Sequence, residues 1–272
     1  GSNSENQIDA IRPDVGINSY SQVLSLGYFA NGVIAQDGSL YMWGYNEWGN
    51  IGDGTTEDRD MPTKILDHVI SVSSGYDRSG AITQDGSLYM WGCNDEGQIG
   101  DGTTEDRYKP TKILDHVVSV SLGGDYSGAI TQDGSLYMWG CNCSGQIGDG
   151  TSVDRYKPTK ILDHVISVSF GYCNGAITQD GSLYMWAPSD PTKILDNVIA
   201  VSSEYGHSGA ITQDGSLYMW GCNDEGQIGD GTTENRYKPT KILDHVISVS
   251  LGNNHSGAIT QDGSLYMWGC ND

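Results

Sequence analysis

Apolar residues recur along this chain in short paired runs that predict β-hairpins. The stretch DGSLYMW occurs six times, beginning at Asp37, Asp85, Asp133, Asp180, Asp214 and Asp262, and Gly follows it in every copy except the fourth, which has Ala187. In each copy an Asp-Gly pair separates two apolar runs, which favours a hairpin because Gly adopts the positive φ of a tight turn at little cost. Strand side chains alternate between faces, so Leu136 and Met138 lie opposite Tyr137 and Trp139. Both faces of this strand are therefore predicted to be covered.

The spacing of these copies predicts an array of similar modules. Successive copies begin 48, 48, 47, 34 and 48 residues apart. A period near 50 residues is typical of repeat folds and propellers, whose modules are too small to bury an apolar face alone. The fourth copy is 14 residues short (48 − 34), because Trp186 is followed almost directly by Pro191. We expect this deletion to leave a notch in the rim of the fold.

The predicted fold class is all-β, a single β-propeller of four-stranded antiparallel blades. In the third copy the predicted strands are Thr111–Leu114, Val117–Leu122, Gly128–Gln132 and Ser135–Gly140. Six copies predict six blades, with seven blades or an incomplete ring as alternatives. Residues 1–10 are predicted to be a disordered segment, and residues 11–272 to be the propeller domain.

The net charge limits the classes of partner. The chain has 14 Lys and Arg against 35 Asp and Glu, a formal net charge of −21. Such a surface repels phosphate backbones, so no nucleic-acid partner is predicted, and a basic protein is favoured. No stretch is long and apolar enough to span a bilayer, so membrane insertion is not predicted. The chain is predicted to be a monomer with free thiols.

Motifs that carry catalysis or metal binding are missing from the sequence. There is no Gly-x-Ser-x-Gly elbow, phosphate loop or His-Glu-x-x-His pair. The acidic loop Asp101–Asp106 lacks the alternating carboxylates and terminal Glu of a calcium loop. We therefore predict no enzyme activity, no metal and no cofactor.

One segment of the repeat carries a family resemblance. Trp91-Gly92, a short spacer and Gly97-Gln98-Ile99-Gly100 resemble the repeats of the regulator of chromosome condensation family. His207 and His255 fit that family's Gly-x-x-His position before the third strand. The resemblance implies a β-propeller, usually of seven blades. Members include nucleotide exchange factors for small GTPases, chromatin binders, a plant photoreceptor and a bacterial β-lactamase inhibitor, so the resemblance implies no single function.

Differences between the copies collect in two loops. The connection before the Gly-Ala-Ile-Thr strand varies most, and Trp48, in the loop after Trp-Gly, is the single Trp outside the repeated motif. Antiparallel order places both loops at the same end of each blade. Tyr-rich variable loops are typical of recognition surfaces, the alternative being drift at positions that packing does not restrain. The predicted partner-binding residues are Tyr28, Phe29, Trp48, Tyr76, Asp77, Arg78, Asp125, Tyr126, Tyr172, Asn174, Tyr205, His207, Asn254 and His255.

These observations favour a non-enzymatic scaffold that binds a protein through the varied end of its blades. The family resemblance supplies two alternatives, an exchange factor for a small GTPase and an inhibitor of a secreted enzyme such as a β-lactamase. Near-identical repeats rich in Thr, Tyr, Asn and Gly resemble bacterial members. We therefore expect a secreted or cell-surface bacterial protein, with the cytoplasm as the alternative.

Overall fold

The fold is built entirely from β-strands in the residues that the computed structural model describes, which are 23–171, 173–186, 190–204 and 206–270. Tight Asp-Gly turns and β-branched alternation produce this outcome, as the pattern predicts. No helix long and apolar enough to cross a membrane occurs in these ranges. The segment 1–10, predicted to be disordered, lies outside them.

The described strands group into two compact units, and the prediction of a single domain over residues 11–272 stays a prediction. The first unit comprises residues up to 142 together with 153–161. Its three sheets follow chain order, each antiparallel. They contain β1 Val23–Leu26, β2 Ala30–Ile34, β3 Leu40–Gly44 and β4 Arg59–Leu66; β5 Val69–Ser74, β6 Arg78–Thr83, β7 Leu88–Gly92 and β8 Arg107–Leu114; and β9 Val117–Leu122, β10 Tyr126–Thr131, β11 Leu136–Gly140 and β12 Arg155–Leu162.

The second unit comprises residues 143–152 and those from 162 onward, and it also contains three sheets. They contain β13 Val165–Ser169, β14 Asn174–Thr178, β15 Leu183–Trp186 and β16 Thr192–Leu195; β17 Val198–Ser203, β18 His207–Thr212, β19 Leu217–Gly221 and β20 Arg236–Leu243; and β21 Val246–Leu251, β22 His255–Thr260 and β23 Leu265–Gly269. The last sheet has three strands in the described residues. At its edge, Leu265 and Met267 are 66% and 61% exposed.

The prediction of six sheets is confirmed, but one strand was assigned to the wrong sheet. Thr111–Leu114 was expected to begin the third sheet, whereas β8 pairs with β7 and completes the second. The chain turns at His116, which has a left-handed φ of 60°. Because of this turn, the chain leaves β8 and enters β9 of the next sheet. Val117 N then donates to Gly86 O at 2.8 Å, beside the neighbouring Asp-Gly turn.

The repeated apolar residues form the core between adjacent sheets. Leu136, Met138 and Trp139 are fully buried, which agrees with the prediction that both faces of this strand are covered. Gly80 faces Met90 across the β6–β7 pair, and a Cβ on Gly80 would lie 2.7 Å from the Met90 sulfur. Glycine is required at this position because a larger residue would displace the buried thioether.

Loops that leave four of the sheets form hydrogen bonds with the sheet that follows each of them. We call the loop that follows Trp-Gly in each repeat the exit loop. In the first unit Trp91 Nε1 donates to Asn50 O and Trp139 Nε1 donates to Gln98 O, both at 2.9 Å. In the second unit Trp186 and Trp268 donate in the same way to Gln146 O and Gln227 O. Each exit loop thereby satisfies the buried indole of the following sheet.

Candidate partner-binding surface

Five aromatic side chains converge at the varied end of the first unit. We call them the aromatic cluster, and its members are Tyr28, Phe29, Tyr45, Trp48 and Tyr76. Phe29 lies at the centre, with ring centroids 4.8 Å from Tyr28, 5.2 Å from Tyr45, 5.3 Å from Trp48 and 4.7 Å from Tyr76. The Trp48 and Tyr76 rings are 6.4 Å apart. Edge-to-face and tilted pairs at these distances stabilise one another.

The cluster is open to solvent even though its members contact one another. Tyr28 is 76% exposed, Tyr76 52% and Tyr45 38%. Phe29 and Trp48 are partly buried beneath them. Contiguous exposed aromatic patches are typical of interaction surfaces, because contact between water and the rings is unfavourable.

Rigid loops hold the aromatic residues in position. Asn46 is fully buried, and its side-chain amide donates to Thr55 O and Glu57 O, both at 3.0 Å. Its side-chain oxygen accepts from Ile51 N at 2.8 Å, which closes the turn that carries Trp48. Tyr45 N donates to Phe29 O at 2.9 Å and joins the two loops. The surface is therefore held ready before any partner binds.

Acidic groups lie at the margin of the cluster. The Tyr45 hydroxyl donates to the exposed carboxylate of Glu47, and this hydrogen bond is the main reason that the pKa of Tyr45 is raised. Asp77 follows Tyr76 in the chain, and its side chain is 15% exposed. Glu47 is therefore the acidic residue in direct contact with the cluster, because the Asp77 carboxylate pairs with Arg78.

The predicted binding residues separate into exposed and buried groups. Tyr28, Phe29, Trp48 and Tyr76 come together in the first unit. Asp125 in the first unit and Asn254 and His255 in the second are exposed. Tyr172 and Tyr205 lie outside the described residues.

Four of the predicted binding residues are corrected, because the structure buries them. Arg78 is 1% exposed, Tyr126 7%, Asn174 0% and His207 2%. These side chains point inward and connect loops instead of facing a partner. Asn174 donates to Gln146 O at 2.8 Å, and His207 Nε2 lies 2.9 Å from Ser256 Oγ. Burial is also the largest cause of the lowered pKa of His207.

Arg78 makes the most extensive of these connections. Its guanidinium donates to Gly124 O at 2.5 Å, Gly123 O at 2.9 Å and Tyr126 O at 2.7 Å. It also pairs with Asp77 at 3.2 Å. Arg78 therefore fixes the varied loop of the next sheet from inside the protein.

Tyr45 is the member of the cluster that the sequence prediction missed. It stands in the position after Trp-Gly where four other copies have Cys93, Cys141, Cys222 and Cys270. The replacement of this Cys by Tyr45 is the sequence feature that could have identified the residue. Comparison of the varied connections alone did not include it.

One group of metal-ligating side chains occurs in the described residues. Atoms of Glu96, Cys141 and Asp154 lie within 4.8 Å of one another. The Asp154 carboxylate accepts a hydrogen bond from Asn142 N at 2.7 Å, so one of its oxygens already serves the loop. The acidic loops are similar: Asp101 accepts from Thr103 N at 2.9 Å and pairs with Arg107. These contacts account for the carboxylates as loop structure.

Comparison with known proteins identifies first the fold and then the family. The chain has a TM-score of 0.72 and 22% identity to human WBSCR16, over 88% of this chain and 72% of that one. For Prp20p of Saccharomyces cerevisiae, a structure described with its binding to Gsp1p and histones, the TM-score is 0.71 and the identity 22%, over 90% and 71% of the two chains. These likenesses show the fold, a β-propeller of antiparallel sheets.

The sequence matches the regulator of chromosome condensation (RCC1) repeat at residues 37–82, 85–130, 133–173 and 214–259. The chain belongs to this repeat family. A second description of the same repeat matches residues 69–98, 117–146 and 198–227. No curated protein sequence matches the chain.

Proposed function

We propose that this protein is a non-enzymatic scaffold that binds a protein partner through the aromatic cluster. The observation that carries the proposal is the convergence of five aromatic rings, three of them exposed, at positions where the repeats differ from one another. Elsewhere the copies are nearly identical. Aromatic residues on a rigid surface provide most of the binding energy in many interfaces.

The charge of the protein sets the chemistry of the partner. The net charge is −21, and the exposed carboxylate of Glu47 accepts a hydrogen bond from Tyr45 of the cluster. A basic partner would be attracted over a long range, and its cationic side chains would pack on the exposed tyrosines. We therefore infer a basic protein surface as the ligand.

The double variant Trp48→Ala, Tyr76→Ala tests this function. We expect it to lose a partner that the unaltered protein retains, because truncation removes two rings of the cluster. Loss of two central aromatic contacts would weaken binding about 100-fold or more. Affinity capture with quantitative mass spectrometry, followed by calorimetry on the purified partner, would measure the loss.

A matched control is Tyr156→Ala, a tyrosine of the first unit that is 43% exposed and outside the cluster. It should retain the partner. The double variant should melt a few degrees below the parent, because it loses the ring contacts of Trp48 and Tyr76, and its circular dichroism spectrum should match that of the parent. A partner captured equally by parent, double variant and control would overturn the proposal.

A second candidate function, regulation of a small GTPase, follows from family membership. Its test is separate. The protein would accelerate release of labelled nucleotide from a purified GTPase, and unchanged release across a panel of GTPases would exclude it. Inhibition of a secreted enzyme such as a β-lactamase stays a prediction. Measuring the rate of substrate hydrolysis by the enzyme with and without this protein would check it.

A further inference from the structure

The fourth repeat leaves one sheet of the second unit without the exit loop that other sheets receive. Between β15 and β16 only residues 187–191 intervene, whereas residues 93–106 separate β7 from β8. In the first, second, third and fifth repeats the exit loop carries Gly-Asn-Ile-Gly or Gly-Gln-Ile-Gly, and it delivers a backbone carbonyl to the next Trp. Ser79, Ser127 and Ser256 donate to Asn50 O, Gln98 O and Gln227 O at 2.8–2.9 Å.

The polar groups that would receive such a carbonyl are present in the sheet β17–β20. Trp220 occupies the position of Trp139, and Ser208 occupies the position of Ser127. Neither the Trp220 indole nor the Ser208 hydroxyl makes a hydrogen bond within the described residues, although Ser208 is only 4% exposed. Both groups can therefore donate to a carbonyl ligand, as the equivalent Trp and Ser do in other repeats.

The sheet β17–β20 also lacks the isoleucine that an exit loop packs beside the Trp of three other sheets. Ile51, Ile99 and Ile228 of three exit loops are fully buried, each in a core cluster that contains the Trp of the following sheet. The corresponding cluster around Trp220 contains no exit-loop isoleucine. Cys173 packs against this cluster, which lacks the isoleucine contact that three other sheets receive.

Two residues show directly that this surface is uncovered. Tyr237 is 89% exposed, whereas Tyr108 and Tyr156, at the same position of other repeats, are each 43% exposed because Gly49 and Gly97 of the exit loops lie against their rings. Cys222 is exposed, whereas Cys93 and Cys141 are buried. The second and third repeats thus show how the same surface looks when an exit loop covers it.

The uncovered surface forms an open groove of about 580 Å³, lined by residues that include Cys222, Asp224, Glu225, Tyr237 and Asn254. We propose that this groove binds a loop of a partner protein that carries Gly-Gln-Ile-Gly between basic residues. Trp220 directly precedes Gly221 and Cys222, which line the groove, and Ser208 pairs with Trp220 between β18 and β19. The loop carbonyl would accept from Trp220 and Ser208, and the isoleucine would pack against Trp220. Basic flanks would face Asp224 and Glu225.

A synthetic peptide, acetyl-Lys-Asn-Gly-Gln-Ile-Gly-Lys-amide, tests the proposal by NMR titration against the full chain. We expect saturable binding with Kd below about 1 mM, in line with one short loop on a preformed groove. Trp220→Phe, which removes the indole N–H, should weaken binding about tenfold. The matched control Trp91→Phe should not, because that indole is already paired with Asn50 O.

A loop graft gives the second, independent arm. Replacing residues 187–191 with the 19 residues that stand at 92–110 restores the 14 missing residues. The grafted loop should abolish peptide binding and lower the alkylation rate of Cys222 to that of Cys141, measured by mass spectrometry. A Trp48→Ala, Tyr76→Ala variant should bind the peptide normally, which separates this groove from the aromatic cluster.

Two outcomes would overturn the proposal. One is the lack of saturable binding to the unaltered protein at about 1 mM peptide. The other is equal affinity for the peptide with isoleucine replaced by aspartate, because only the isoleucine version fits the apolar position. If the graft fails to fold, the peptide affinities of Trp220→Phe and Trp91→Phe still test whether the Trp220 indole contributes to binding.

Discussion

Arg78 shows how much one residue can differ from its equivalents in an otherwise uniform repeat. The same position holds Ala30, Tyr126, Asn174, His207 and His255 in the other copies. From the sequence, this variety resembled a set of recognition residues. In the structure, Arg78 and Asn174 donate to carbonyls of neighbouring loops, and His207 contacts Ser256 in strand β22.

Replacing Arg78 with Ala is expected to lower the free energy of unfolding by about 3–5 kcal/mol, because it leaves three carbonyls and Asp77 without their buried partner. Urea denaturation would measure the change. Arg107→Ala is the control, since its pair with Asp101 is partly solvent-exposed and is expected to cost less than about 1 kcal/mol. Equal losses in the two variants would contradict the assignment of Arg78 as a buried connector.

At the scale of the element, each hairpin turn also holds a carboxylate that accepts hydrogen bonds from neighbouring residues. Gly134 has φ of 80°, and Asp133 accepts from the Thr131 hydroxyl at 2.6 Å and from Ser135 N at 3.1 Å. These hydrogen bonds stabilise the carboxylate. The one to Thr131 is the largest cause, and together they lower the pKa of Asp133 to about 2. Asp85, Asp180 and Asp214 have the same arrangement and a pKa of about 2.

The low pKa values of the hairpin aspartates predict that the protein loses stability in acid. An unfolded Asp has the ordinary pKa of 3.8, so the unfolded chain binds more protons than the folded chain between pH about 4 and about 2. Stability from these carboxylates is present above that window and is lost as the pH falls through it. Denaturation with urea at a series of pH values would measure the slope, and Asp133→Asn should reduce it. A free energy of unfolding that is constant from pH 5 to pH 2.5 would contradict this account.

At the scale of the whole molecule, charge governs how fast a partner arrives. A net charge of −21 produces a negative field that attracts basic ligands and is screened by salt. The association rate of the lysine-flanked peptide should therefore fall about tenfold between ~20 mM and ~500 mM NaCl, with little change in dissociation. Stopped-flow fluorescence would measure both rates.

The control for this salt effect is a peptide with the same Gly-Gln-Ile-Gly core and serine flanks. Its association rate should change little with salt, because it carries no charge to be steered. Equal salt dependence for the two peptides would show that the negative field does not steer association.

The sequence alone determined the hairpins, the six sheets and the position of the shortened loop, because these depend on alternation and turn residues within one repeat. The tertiary structure decided that β8 completes the preceding sheet, because a left-handed His116 carries the chain onward. It also decided that Tyr45 joins the aromatic cluster, that Arg78 is buried and that Tyr237 is uncovered. The last two outcomes depend on a loop of a neighbouring repeat, and the sequence around Arg78 or Tyr237 does not show whether such a loop covers it.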